Sequence, residues 1–236
     1  MSKLLAKYGL FCVVILCLGV SSVLPAAAAS RYLVFCLGDD LSYNTYPDKL
    51  KSMLRSPSAY DYDFDVIAHV APGRTASGLL SSMQNDNWLQ DDPDCVLIMV
   101  GTNDILKTLY TETDVDKVAR DAVAAVQEIV DYVATNTPSG RPTIIVSTIP
   151  PSLDPTITQR IDAFNQKIRS EIQGADAIVH DNWEDLYDSS IGEAKRVLMR
   201  TDMYPNVAGN WEIAENFYRE ILTQINPDLI NDSHHY

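Results

Sequence analysis

The chain has 236 residues, 46% of them apolar and 21% charged, and its 18 basic against 32 acidic residues give a net charge of −14. That length can bury a sizeable core without a metal or disulfide staple. That charge excludes nucleic acid and anionic lipid surfaces as partners, since both are held by clustered Lys and Arg.

In chain order, Lys3 and Lys7 come first, then an apolar run over residues 8–20, then small residues up to Ala29. A basic start, a short apolar stretch and small residues at the end describe a secretory signal peptide, residues 1–29, cleaved after Ala29. The alternative is an uncleaved anchor, for which the run is short against a ~30 Å hydrocarbon core. The expectation is a secreted or periplasmic protein with no membrane span after cleavage. Cys12 and Cys17 leave with that segment, so Cys36 and Cys95 remain.

From residue 30 onward, apolar β-rich runs alternate with helical patterns, which predicts an α/β domain with a parallel sheet. The runs cover residues 32–37, 64–70, 95–100, 143–148 and 177–180. They are nearly continuous in apolar character, as strands covered on both faces are. Between the third and fourth runs, Val115, Val118, Ala119, Ala122, Val126, Ile129, Val130 and Val133 form one stripe of a long helix. Further helices are predicted over residues 47–54, 75–83, 156–172 and 207–225. No linker divides residues 30–225, which read as one domain, and residues 226–236 form a polar tail.

Ligands of open parallel α/β sheets bind beyond the carboxyl ends of the strands. There the sequence places Gly38-Asp39-Asp40-Leu41-Ser42, then Pro72-Gly73-Arg74-Thr75, then Gly101-Thr102-Asn103-Asp104, and before the last helix Thr201-Asp202-Met203-Tyr204-Pro205-Asn206. These four blocks, in this order, resemble the SGNH (GDSL) hydrolase family over essentially all of the chain after the leader. The resemblance implies a three-layer α/β/α sandwich, flavodoxin-like, with a five-stranded parallel sheet of order 2-1-3-4-5. It also implies an acyl-transfer site with no cofactor and no metal. In that site a Ser attacks, a His takes its proton, an Asp three residues before the His orients it, and a Gly N–H and an Asn amide hold the oxyanion.

Carried onto this sequence, the oxyanion donors survive as Gly73 and Asn103, while the triad does not. Asp40 stands at the Ser position, Tyr204 at the His position and Thr201 at the Asp position. Asp40 has no hydroxyl to activate, and a phenol of ordinary pKa about 10 is a proton donor at neutral pH. The replacements are chemically compatible with one another, since the Asp40 carboxylate accepts what Gly73, Asn103 and Tyr204 donate. Arg74, beside Gly73, is the cation expected at the crevice mouth.

Other residues offer weaker chemistry. Ser42 lies in the turn after the nucleophile position and is expected to bond backbone. His69 and His180 end the second and fifth strands and would be candidates for a relocated base. Asp39, Asp40, Asp104 and Asp202 could approach one crevice, and an oxygen-only set would suit Ca²⁺ or Mg²⁺. Two function classes follow. One is an exported, catalytically inactive pseudo-esterase of the cell envelope that binds a glycan, ester or other small ligand or serves as a scaffold. The other is an active esterase or acyl hydrolase of acetylated glycans or lipid esters with a rearranged site. Finally, if the first and third strands end level at Gly38 and Gly101, Cys36 and Cys95 sit four residues out of step, about 13 Å along the strands at ~3.3 Å each. Both are then buried free thiols, despite the oxidising compartment.

Overall fold

The computed structural model of the protein describes residues 30–43, 45–55, 62–140, 142–174 and 177–225. The expected leader, residues 1–29, and the tail, residues 226–236, lie outside the described residues. Five strands, β1 (Ser30–Gly38), β2 (Tyr62–Val70), β3 (Cys95–Met99), β4 (Thr143–Ser147) and β5 (Ala177–His180), form one parallel sheet of order β2-β1-β3-β4-β5. This is the expected architecture, strand by strand. The central strands β1 and β3 are buried on both faces, so the residues pointing each way are apolar. The edge strand β2 alternates instead, with Phe64 and Val66 buried and Asp63 and Asp65 facing outward.

Seven helices cover the sheet among the described residues: α1 (Tyr46–Leu54), α2 (Ala76–Asn85), α3 (Thr102–Thr108), α4 (Val115–Asn136), α5 (Pro155–Glu171), α6 (Trp183–Leu186) and α7 (Val207–Ile225). One layer is α1 against α7, with the Tyr46 and Phe217 rings 4.9 Å apart. The other is α4 between α2 and α5. The stripe read on α4 is its buried face, from Val118 to Val133, and only Val115 at its start is half-exposed. The Asp114 carboxylate accepts from the Lys117 N–H and starts that helix; Asp154 starts α5 by accepting from Thr156 and Ile157, ahead of a Pro155 that needs no partner. The short α3 and α6, and a two-residue antiparallel pair β6 (Tyr187–Asp188) and β7 (Glu193–Ala194), have no periodicity long enough to read in sequence.

The register of β1 on β3 corrects one expectation. Gly38 lies level with Met99, not Gly101, so Cys36 is opposite Leu97 and Cys95 opposite Val34. The chain leaves the ladder two residues early because Gly101 turns at φ +131, and its N–H is taken by the Asp39 side chain and not by a strand. The cysteines are therefore two residues out of step on the same face, about 6.6 Å along the strand and roughly 8 Å apart once the ~4.8 Å strand spacing is added. That still exceeds the ~4.4–6.8 Å Cα separation of a disulfide. Both thiols are free and buried, and burial pushes Cys36 up to about 12 and Cys95 well above its ordinary value. Iodoacetamide should accordingly leave both thiols unmodified in the native protein. In denaturant without reductant, peptide mapping should find both alkylated; a Cys36–Cys95 linked peptide would contradict the two-residue offset.

Candidate functional site

The site is assembled from three strand-end loops and the segment before α7. After Gly38, Asp39 caps a single helical turn, Asp40–Ser42. Its carboxylate is fully buried and accepts from Leu41 N at 3.1 Å, Gly101 N at 3.3 Å and Thr102 N at 3.0 Å. Burial pushes Asp39 up to about 6; the three N–H groups oppose that shift and the Asp40 charge adds to it. The loop after β2 turns on Gly73 at φ +73, a conformation that suits glycine. Ala71 N donates to Gly38 O at 2.9 Å, and Lys107 Nζ donates to Gly73 O at 2.7 Å, so this loop is tied to β1 and to α3. Gly101 admits no side chain, because a Cβ there would lie 2.6 Å from the Phe164 ring.

These constraints converge on Asp40. Its Oδ2 accepts from Gly73 N at 2.7 Å and from Asn103 Nδ2 at 2.6 Å. The two donors that the family resemblance assigns to an oxyanion thus hold a side-chain carboxylate. Asp104 Oδ2 accepts from Ala76 N at 3.0 Å, at the start of α2, and burial pushes this carboxyl up to about 6.

Tyr204 faces the same cleft as Asp40 across the loop before α7. Burial raises the Tyr204 pKa, the charges of Asp40 and Asp39 raise it further, and Arg200 opposes them, so the phenol keeps its proton at neutral pH. No hydrogen bond joins it to Asp40 among the described residues. Thr201 is outside the cleft and shapes the turn: its Oγ1 accepts from Tyr204 N at 3.2 Å and Met203 N at 3.4 Å. Arg74 is exposed, does not line the cleft and forms no ion pair with Asp40, because its stem lies along α2 beside Gly78. The cations on the cleft are instead Lys49, from the first turn of α1, and Arg200. Sequence reasoning missed both. The signal was the position of Arg200 immediately before the fourth block.

The cleft encloses about 440 Å³ between the Asp40–Ser42 turn, the start of α1 and the start of α7. Asn210 lies at its wall, donates from Nδ2 to Pro205 O and Asn206 O, and has a buried Oδ1 without a partner. Such an orphan acceptor costs on the order of 1–3 kcal/mol. The other candidates lie elsewhere. The buried Ser42 hydroxyl donates to Met99 O, His69 stacks on Trp88 with centroids 4.8 Å apart, and His180 faces Glu220 at 3.4 Å. Asp202 is exposed, and among the described residues no group of three or more His, Cys, Asp and Glu could hold a metal ion.

A family profile for GDSL-like lipase/acylhydrolase proteins matches residues 29–211. The chain belongs to that family. No curated protein matches it. Among solved structures, it is similar to a catalytic mutant of an acetylxylan esterase from Geobacillus stearothermophilus, at 17% identity over 82% of this chain and 94% of that one, with a TM-score of 0.64. A lipase/acylhydrolase from Enterococcus faecalis matches at 19% identity, over 82% and 96% of the two chains, with a TM-score of 0.62. A GDSL-like lipase from Bacteroides thetaiotaomicron matches at 16% identity, over 85% and 91%, with a TM-score of 0.60. At these identities the shared feature is the GDSL fold.

The raised carboxyls of this GDSL scaffold set a pH dependence. Asp39 and Asp104 titrate near 6 when folded and near 3.9 when unfolded, so their contribution is intact below about pH 4 and lost as pH rises through about 6. Carboxyls held low, such as Asp65 and Asp181, act only at more acid pH, while His69, whose pKa burial lowers, costs stability as pH falls below about 6.5 and offsets part of the slope. Each raised carboxyl should therefore add on the order of 1–3 kcal/mol of stability at pH 5 relative to pH 7.5, read as a higher thermal midpoint at pH 5. Asp104→Asn, which keeps an acceptor for Ala76 N, should flatten that slope in a calorimetric pH series.

Proposed function

We propose that this GDSL-family chain is a non-hydrolysing, exported protein of the cell envelope that binds a ligand in the cleft beside Asp40. The observation that carries the reading is the seat of the Asp40 carboxylate, 2.7 Å from Gly73 N and 2.6 Å from Asn103 Nδ2. A tetrahedral intermediate needs those donors free at the moment its oxygen becomes negative. Here they already hold an acceptor, and its charge would repel a second one. The nucleophile position carries no hydroxyl, and Tyr204 faces the cleft as a proton donor. Among the described residues, no histidine lines the cleft. Loss of one triad member costs about 10⁴ in turnover in serine proteases, and here all three positions differ.

The acetylxylan esterase among the structural neighbours supports a glycan or ester as the ligand class. The leader pattern ending at Ala29 supports export, and N-terminal sequencing of the secreted product should begin at Ser30.

Purified protein should release no p-nitrophenol from short-chain esters, and no acetate from acetylated xylo-oligosaccharides, above background. Asp40→Ser alone should remain inactive, since a Ser without a base is a weak nucleophile. The triple variant Asp40→Ser, Tyr204→His, Thr201→Asp should show measurable turnover, because Gly73 and Asn103 are in place. Robust wild-type turnover that disappears in Asp40→Ala would overturn this reading in favour of a rearranged hydrolase.

A further inference from the structure

We infer that the cleft beside Asp40 recognises an acidic saccharide, a sugar bearing a carboxylate, with Lys49 and Arg200 as its anion-binding pair. The inference names the ligand of the site proposed above and rests on that reading. Three observations carry it.

The first is charge. In a chain of net charge −14, this cleft carries two cations against one carboxylate, Asp40, whose Oδ2 is already held by Gly73 N and Asn103 Nδ2. Neither Lys49 nor Arg200 has an acidic partner among the described residues, whereas Lys51, Lys117, Lys167 and Arg169 each face a carboxylate within 4.0 Å. The Arg200 guanidinium lies 5.9 Å from the Tyr204 ring centroid, which keeps it at the cleft edge with its donors unspent. Unpaired guanidinium and ammonium groups on a cleft wall suit a carboxylate.

The second is the supply of acceptors. Asp40 Oδ2 takes both protein donors, and its Oδ1 takes none among the described residues. Asn210 also has an unpartnered Oδ1, but that atom is itself buried, so the acceptor on the cleft is Asp40. A free carboxylate oxygen of this kind suits a ligand rich in hydroxyl donors. An acyl chain would leave it unsatisfied.

The third is shape and lining. Eight of the eleven residues on the cleft carry a polar side chain, and the volume of about 440 Å³ lies in the range of small-molecule sites, ~300–1,000 Å³. Tyr43 presents a ring that is 53% exposed on the rim, a flat surface for the C–H face of a pyranose. Cations, hydroxyl acceptors and an aromatic face together match an acidic sugar; a free inorganic anion would use only the first.

The test is calorimetric titration of the purified protein with trigalacturonate, xylotriose and inorganic phosphate. Trigalacturonate should bind at least about tenfold more tightly than xylotriose or phosphate, since charge-assisted hydrogen bonds are the stronger ones. Its affinity should fall as NaCl is raised from roughly 50 to 500 mM, a readout that needs no variant. The double variant Lys49→Glu, Arg200→Glu should melt as the wild type does and lose at least about tenfold in trigalacturonate affinity, and Tyr43→Ala should weaken the sugar but not phosphate. Equal affinity for charged and neutral sugars, salt-independent binding, a double variant that binds as the wild type, or no saccharide binding at all would overturn the inference. Ester turnover is read separately. Turnover with acidic-sugar binding defeats only the non-hydrolysing reading, and silence in both assays defeats only the acidic-sugar assignment.

Discussion

The buried carboxylate of Asp39 organises everything at the strand ends. It has no cation beside it, and its charge is met by the N–H groups of Leu41, Gly101 and Thr102. One side chain thereby fixes the turn that follows β1 and holds the loop that follows β3 against it. A burial that costs several kcal/mol uncompensated becomes tolerable only because all three donors converge. The neighbouring Asp40 inherits its position from this arrangement, as does Asn103, two residues past Gly101. Gly73 is brought in separately, by the Ala71 N–H on Gly38 O and the Lys107 amine on Gly73 O.

In the non-hydrolysing reading proposed above, donors that would meet transient negative charge in an ester hydrolase meet a resident carboxylate. Two donors at 2.6 and 2.7 Å stabilise a resting carboxylate by the same electrostatics that would stabilise an oxyanion. The difference lies in timing, since stabilisation present in the ground state lowers no barrier. The same carboxylate also acts at a distance: burial raises the Tyr204 pKa, and the charges of Asp40 and Asp39 raise it further.

Much of this was legible in the sequence. The central strands read clearly because a parallel sheet covered on both faces needs apolar residues on both, as residues 33–37 and 95–99 provide. The long α4 read clearly because its buried stripe, from Val118 to Val133, repeats over more than four turns. Asp40, Gly73, Asn103 and Tyr204 stood out because each follows a strand end or precedes the last helix within a recognisable block. What stayed hidden was side-chain geometry between distant segments. The two-residue error in register came from Asp39, whose carboxylate replaces ladder bonds that a pattern assigns to backbone. Lys49 and Arg200 lie 151 positions apart and line one cleft only because α1 packs on α7. Arg74 looked well placed beside Gly73, yet the direction of its side chain along α2 is set by local geometry that no motif encodes.

The place of β1 in the sheet also governs how the molecule is made. β1 is the earliest of the described strands and lies second in the sheet, between β2 and β3. The contact that ties its Leu33 N–H to Asp94, just before β3, spans 61 residues. Parallel pairing of this kind is non-local, and the loop between partners must close before any ladder bond offsets its entropy. A ribosome emitting this chain therefore releases the apolar run of residues 32–37 long before its second neighbour exists. Until β3 emerges, that run has at least one open, sticky edge, the sort of segment that chaperones bind and aggregates recruit. Expression yield should depend more on how those first exposed residues are shielded than on the stability of the finished fold.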